Sequence, residues 1–158
     1  MKTKKLLLFG VVISTMIIMS CNPQNNVAGY YSYETECLGT ELDGSQTLKA
    51  WGTGVNLDDA VFQAKKQAIK DVIFKGINKG REGCSKRALV IEVNAQEKYE
   101  DYWNVFFADG GKYLQFTTHE DGKFLSKKKA GNQLTYGVTV RVLRKELKQQ
   151  LIDDKILK

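Results

Sequence analysis

Three alanines at four-residue spacing, Ala60, Ala64 and Ala68, constrain this chain more than any other feature. Residues four apart stack on one face of a helix, and a stripe of methyl groups lets that helix come very close to whatever it covers. The preceding residues indicate what it covers. Residues 47–53 alternate Leu48, Ala50 and Gly52 against Lys49, Trp51 and Thr53, the two-residue period of a strand. Gly54 and Val55 lead to Asn56, a good N-cap, and Asp58 and Asp59 follow in the first turn, where carboxylates favour the helix start. The spacing predicts a helix to about Asn78. Its inner stripe would be Leu57, Val61, Ala64, Ala68 and Val72, flanked by Ala60, Ile69 and Ile73. Lys65, Lys66, Gln67 and Lys70 fall on the outer face, and Gly76 and Gly80 bracket the end.

Residues 87–95 contain Ala-Leu-Val-Ile-Glu-Val and read as a second, central strand. Residues 98–108 carry Tyr99, Tyr102, Trp103, Phe106 and Phe107 at helical spacing, stopped by Asp109-Gly110-Gly111. Tyr113, Leu114 and Phe116 read as a third strand, Asp121-Gly122 as a turn, and residues 127–132 as a basic loop. Residues 133–142 form the cleanest strand. Leu134, Tyr136, Val138, Val140 and Val142 face one way, with Thr135, Gly137, Thr139 and Arg141 directed outward. Leu143, Leu147 and Leu151 space a terminal helix from Arg144 to about Ile156. No internal repeat or interdomain linker interrupts this order.

The first twenty residues read as an address. Lys2, Lys4 and Lys5 precede an apolar run from Leu6 to Met19, about 14 residues long. That pattern matches a secretory signal, and it is short for a spanning helix, which needs about 20 residues. Ile18-Met19-Ser20-Cys21 then resembles a bacterial lipobox. The resemblance implies cleavage before Cys21, diacylglycerol on its sulfur and an acylated amino terminus, so that several acyl chains anchor the protein stably. No Asp follows Cys21, which points to the outer membrane and a periplasm-facing domain. Cys37 and Cys84 remain. In an oxidising compartment an even remainder reads as a disulfide, the alternative being two buried free thiols. The expected organisation is therefore a signal peptide at 1–20, a lipidated Cys and tether at 21–45, and one domain at 46–158. Removing residues 1–20, with three lysines and no acid, leaves 138 residues carrying 21 basic and 18 acidic side chains, a balance of +3 rather than the +6 of the whole chain. The apparent pull toward an acidic polymer shrinks accordingly, and no nucleic acid is expected as a partner.

The remaining constellations read as structural. Gly52-Thr53-Gly54 lacks the third glycine of a dinucleotide loop and the Lys-Ser or Lys-Thr of a P-loop, and Asp58 and Asp59 would repel a phosphate. His119-Glu120-Asp121 sets the lone imidazole beside two acids, but neighbouring strand residues point to opposite faces. With one His there is no second base for a nucleophile, and there is no Gly-x-Ser-x-Gly elbow. Glu92, Glu97, Glu100 and Asp101 read as solvated charge, the alternative being a converging carboxylate pair of an envelope hydrolase, and Lys127-Lys128-Lys129 as a solvated loop or a contact to anionic headgroups. No cofactor, metal or catalytic residue is expected. The aromatic set Tyr99, Tyr102, Trp103, Phe106, Phe107 and Tyr113 stays open between core and a partner or ligand surface. Tyr99, Trp103 and Phe106 share one helix face, with Tyr102 at its edge.

Ala50-Trp-Gly-Thr-Gly, Leu57-Asp-Asp-Ala60, Ala64-Lys-Lys-Gln-Ala68 and Asp71-Val-Ile, followed later by Tyr136-Gly-Val-Thr-Val-Arg-Val-Leu-Arg-Lys-Glu-Leu147, resemble the Lpp-twenty lipoprotein family and the N-terminal domain of the flagellar assembly protein T. The resemblance spans roughly residues 46–95 and 133–150. It implies an α+β domain, with a small curved, mostly antiparallel sheet of three to four strands packed on one long helix. A second aromatic-rich helix and a C-terminal helix complete the expected fold. It also implies envelope association without enzymatic activity. The expectation is a lipid-anchored binding or assembly module, held to the membrane by acyl chains on Cys21 and contacting an envelope protein. The alternative is a small-ligand or cell-wall binding protein with an aromatic-lined pocket.

Overall fold

The computed structural model describes residues 33–130 and 133–157, with 119–130 and Gln133 described as backbone only. The fold is α+β. Five strands form one mixed sheet in the order β3-β1-β2-β5-β4, with β1 Glu36–Thr40, β2 Gln46–Gly54, β3 Lys79–Gly80, β4 Thr117–Ala130 and β5 Gln133–Val142. All pairings are antiparallel except the short β1–β3 contact. Helix α1, Leu57–Lys70, lies on one face, and α2 (Ala95–Lys98), α3 (Glu100–Phe106) and the C-terminal α4 (Arg144–Asp153) complete the domain.

The alanine stripe acts as its spacing implies. Ala60, Ala64 and Ala68 are fully buried against Leu48 and Ala50 of β2 and Val138, Val140 and Val142 of β5. The approach is so close that a Cβ on Gly52 would sit 1.9 Å from the Ala60 carbonyl oxygen and 2.4 Å from the Ala64 nitrogen. A Cβ on Gly54 would sit 2.6 Å from the Ala60 nitrogen. These two glycines are therefore strand positions that admit a helix backbone, which is one of the recognised uses of strand glycine. The Asn56 side chain accepts from the Asp59 backbone N–H at 2.9 Å, the expected cap. Leu57, placed on the inner stripe by spacing, is exposed, because it is the first helical residue and lies at the mouth of the helix–sheet contact.

The helix does not continue as α to Asn78. Residues Asp71–Lys75 widen into a π-turn that ends at Gly76, whose positive φ of 78° suits glycine. Asp71 is buried and accepts hydrogen bonds from Thr35 Oγ1 and from Gln67 Nε2. The carbonyls of Val72 and Ile73 turn outward to accept from the Leu89 and Val90 N–H groups at 3.1 and 2.8 Å. That capture explains a second correction. Residues 87–95 are strand-like in composition but form no strand, since the N–H groups of Leu89 and Val90 are spent on the π-turn and the outer edge of β1 is taken by Lys79–Gly80.

Five further expectations change. Tyr113, Leu114 and Phe116 lie in a 3-10 turn, Lys112–Phe116, not a strand. In a three-residue turn positions i and i+3 eclipse, so Tyr113 and Phe116 both enter the core. Asp121-Gly122 is no turn; β4 runs through it, with its register against β5 interrupted between His119 and Phe124. Lys127, Lys128 and Lys129 are likewise strand residues, paired with Tyr136, Thr135 and Leu134, while Gly131 and Asn132 lie outside the described residues. Thr135 and Thr139, expected to face water, are buried, because β5 is flanked by β2 and β4 and Thr53 Oγ1 meets Thr135 Oγ1 at 2.8 Å. The sheet also begins earlier than expected. β1 lies before residue 46, in the tether and N-terminal segment expected to precede the domain, and with two expected strands absent and β1, β3 and β4 added the sheet has five strands rather than three or four.

The β1–β2 connection carries a pH-sensitive contact. Asp43 accepts from the Ser45 hydroxyl at 2.7 Å and backbone N–H at 2.8 Å, and Arg141 of β5 reaches the same carboxylate. Ser45 foremost, then Arg141, holds the Asp43 carboxyl at about 2, below its usual 3.8. The folded state thus binds this proton more weakly than the unfolded chain does. The stabilisation is complete above about pH 4 and fades as pH falls toward 2. Urea titrations at pH 5, 4, 3 and 2.5 should show a shallower acid loss for Asp43→Asn than for the wild type; equal slopes would refute this assignment.

Candidate functional site

The aromatic segment separates into core and surface. Its residues sit on α2 and α3, a helix interrupted at Tyr99, whose φ and ψ of −116° and 34° are not helical. Phe106 and Tyr113 are 1% exposed and belong to the core. Phe106 stacks on Phe116 at 6.2 Å and meets Phe107 edge-on at 5.0 Å. Trp103 is also buried, and its indole N–H donates to the Ala95 carbonyl at 3.1 Å. Tyr102 is half-buried and donates to Asp154 at 2.7 Å, with Lys112 3.5 Å from the same carboxylate. This pins the aromatic helix to the end of α4. Burial, then Asp154, holds the Tyr102 phenol above its usual range. Tyr99 is half-buried beneath the Lys98 ammonium at 4.9 Å.

A groove of about 510 Å³ lies between α1 and the α2–α3 pair. Phe74, Trp103 and Phe107 line its floor. Phe74 packs edge-on against Trp103 at 4.8 Å, and Trp103 lies 6.0 Å from Phe107 at 30°. Lys66 and Lys70 of α1 supply one wall, and Gln96, Glu97, Glu100 and Asn104 the other. Lys70 Nζ lies 5.3 Å from the centre of the Phe107 ring, and Lys66 Nζ lies 5.6 Å from that of Tyr113 while pairing with Asp109 at 3.3 Å. Lys70, Glu97 and Glu100 form no ion pair with any described residue. The site therefore offers cations on one side, carboxylates on the other and aromatic carbon between. A second hollow of about 380 Å³ shares Phe74, Gln96 and Glu97 and continues the groove past Val90 and Asn94.

Of the six candidate aromatics, only Trp103 and Phe107 line this groove; Tyr99 lines a separate hollow beside Leu89, Ile156 and Leu157. Phe74, Lys66 and Lys70 were missed as groove residues. The signal was present, since Phe74 lies four and eight residues beyond the two lysines and so continues the polar face of the helix. Cys37 and Cys84 are joined in a disulfide, with Cα atoms 5.9 Å apart. Cys21 lies outside the described residues, as do the side chains of His119, Glu120 and Asp121. Among the described residues no group of His, Cys, Asp and Glu is placed to hold a metal ion, and no helix is long and apolar enough to cross a membrane. Compared with protein families, curated proteins and solved structures, the chain matches none.

Proposed function

We propose that the chain is a lipid-anchored envelope lipoprotein, periplasm-facing on the outer membrane, whose domain is a non-enzymatic binding module. The Cys21 motif supports the anchor, and the resemblance to envelope lipoprotein families agrees with it. The observation that carries the binding role is the groove, where an aromatic floor lies between walls of opposite charge. Its volume falls within the range of small-ligand sites. A concave site of that size favours the reading in which a small or cell-wall ligand is bound over the one in which a flat aromatic patch meets a protein. Anchoring supplies local concentration at the membrane, and the groove supplies the contact.

Cell fractionation tests the anchor. Wild-type protein should sediment with membranes and label with a fatty-acid probe, whereas Cys21→Ala should lose both the label and the membrane fraction. Unchanged retention of the unlabelled variant would overturn the lipidation reading.

A further inference from the structure

Taking the groove as the binding surface, we infer that its ligand is a short peptide with a free ammonium and a free carboxylate group separated by an apolar stretch. Each part of that ligand is matched by side chains of the groove. On the α1 wall Lys70 is exposed with its ammonium over the Phe107 ring that lines the groove, so its charge is turned toward the groove, whereas Lys66 is partly buried and already paired with Asp109. Glu97 and Glu100 stand on the opposite wall, one on each side of the Tyr99 break, with no cation among the described residues to neutralise them. Phe74, Trp103 and Phe107 supply apolar carbon between the two walls, the part of a binding site that contributes most through burial.

The pairing of walls also excludes other occupants. A polyanion such as a nucleic acid or an anionic membrane surface would gain one unpaired lysine but meet two carboxylates in the same groove. A polycation would meet the reverse conflict. A neutral sugar would stack on the aromatic floor and hydrogen-bond both walls through its hydroxyls, but it would neutralise neither Lys70 nor the two carboxylates. Only a ligand with both charges neutralises both walls, and opposed charges also set its direction in the groove, carboxylate toward α1 and ammonium toward α2 and α3. Such a peptide has two sources, soluble peptide and peptide attached to cell-wall glycan, and the chemistry is common to both.

Trp103 provides the readout. The full-length protein, purified in mild detergent and carrying Trp51→Phe, has Trp103 as its one remaining tryptophan. Titration with Ala-Leu-Ala bearing free termini should change its emission saturably. Acetylating the amino end or amidating the carboxyl end should each weaken binding at least fivefold. Glu97→Gln combined with Glu100→Gln should abolish the penalty for acetylation, and Lys70→Gln the penalty for amidation. All three side chains are exposed, so circular dichroism should show an unchanged fold. Sedimentation with isolated cell-wall sacculi, competed by the free peptide, would assign the source as wall-attached; competition-sensitive binding to soluble peptide alone would assign it as soluble. Equal binding of capped and uncapped peptides would overturn the two-charge inference while leaving the groove as a binding surface. Absence of saturable binding by either, with wild-type behaviour of Phe74→Ala in photo-crosslinking from position 104 in cells, would overturn both.

Discussion

Gly52→Ala is expected to destabilise the domain by about 3 kcal/mol or more, at the upper end of what overpacking costs. The added methyl would overlap backbone atoms, the Ala60 carbonyl oxygen at 1.9 Å and the Ala64 nitrogen at 2.4 Å. Backbone cannot rotate aside as a lysine side chain would. Relief requires the whole of α1 to rise from the sheet, which opens the contacts of Ala60, Ala64 and Ala68 at once. Gly39→Ala is the matched control, because a Cβ there meets nothing within 4 Å and a change of no more than about 0.5 kcal/mol is expected. Denaturant unfolding of the two variants against wild type checks the contrast. Similar midpoints for Gly52→Ala and Gly39→Ala would show that the helix does not sit this close.

The disulfide is expected to have the second largest effect. Cys37 and Cys84 close a loop of sequence separation 47, and cross-linking a loop of that length stabilises by about 4 kcal/mol in the chain-entropy account. The bond joins β1 to the segment that follows β3, at the edge where the sheet pairing is only two residues long. Cys37→Ala combined with Cys84→Ala should therefore lower stability by about 3–4 kcal/mol, and loss of protection should begin at β1 and β3. Hydrogen exchange of the double variant would locate it. Uniform protection across the sheet, or an unfolding midpoint within error of wild type, would contradict this placement.

Much of the core was legible because periodicity reports which face is covered. The alanine stripe, the valines of β5 and the leucines of α4 follow periods of 3.6 or 2 in the sequence, and Leu147, Leu151, Val138, Val140 and Val142 are fully buried. The errors share one cause. Residues 87–95 have the composition of a strand, but a strand needs an open partner edge. Tyr113 and Phe116 are compatible with several local conformations, and the one adopted is set by what lies beneath them. Thr135 and Thr139 are polar by composition and buried by position, since a strand paired on both sides loses solvent access that alternation alone does not register.

The groove was half legible. Helical spacing drew attention to Trp103 and Phe107, but their neighbours Phe74, Lys66 and Lys70 come from a helix some 30 residues earlier in the chain. Spacing within one helix cannot report what a second helix brings to it. The sequence by itself determined that a helix with alanine at every fourth position can lie close on the glycine-bearing strand that precedes it, because methyl side chains and glycine leave little between the two backbones. It also offered Cys37 and Cys84 as a pair, which the structure joins in a disulfide. Only the tertiary structure decided which aromatics are core and which line a groove, and which charges face one another across it. Those outcomes depend on the distance and angle between α1 and the α2–α3 pair, set by the π-turn and its capture of Leu89 and Val90. That is a long-range hydrogen-bond choice, and residue order alone leaves it undetermined.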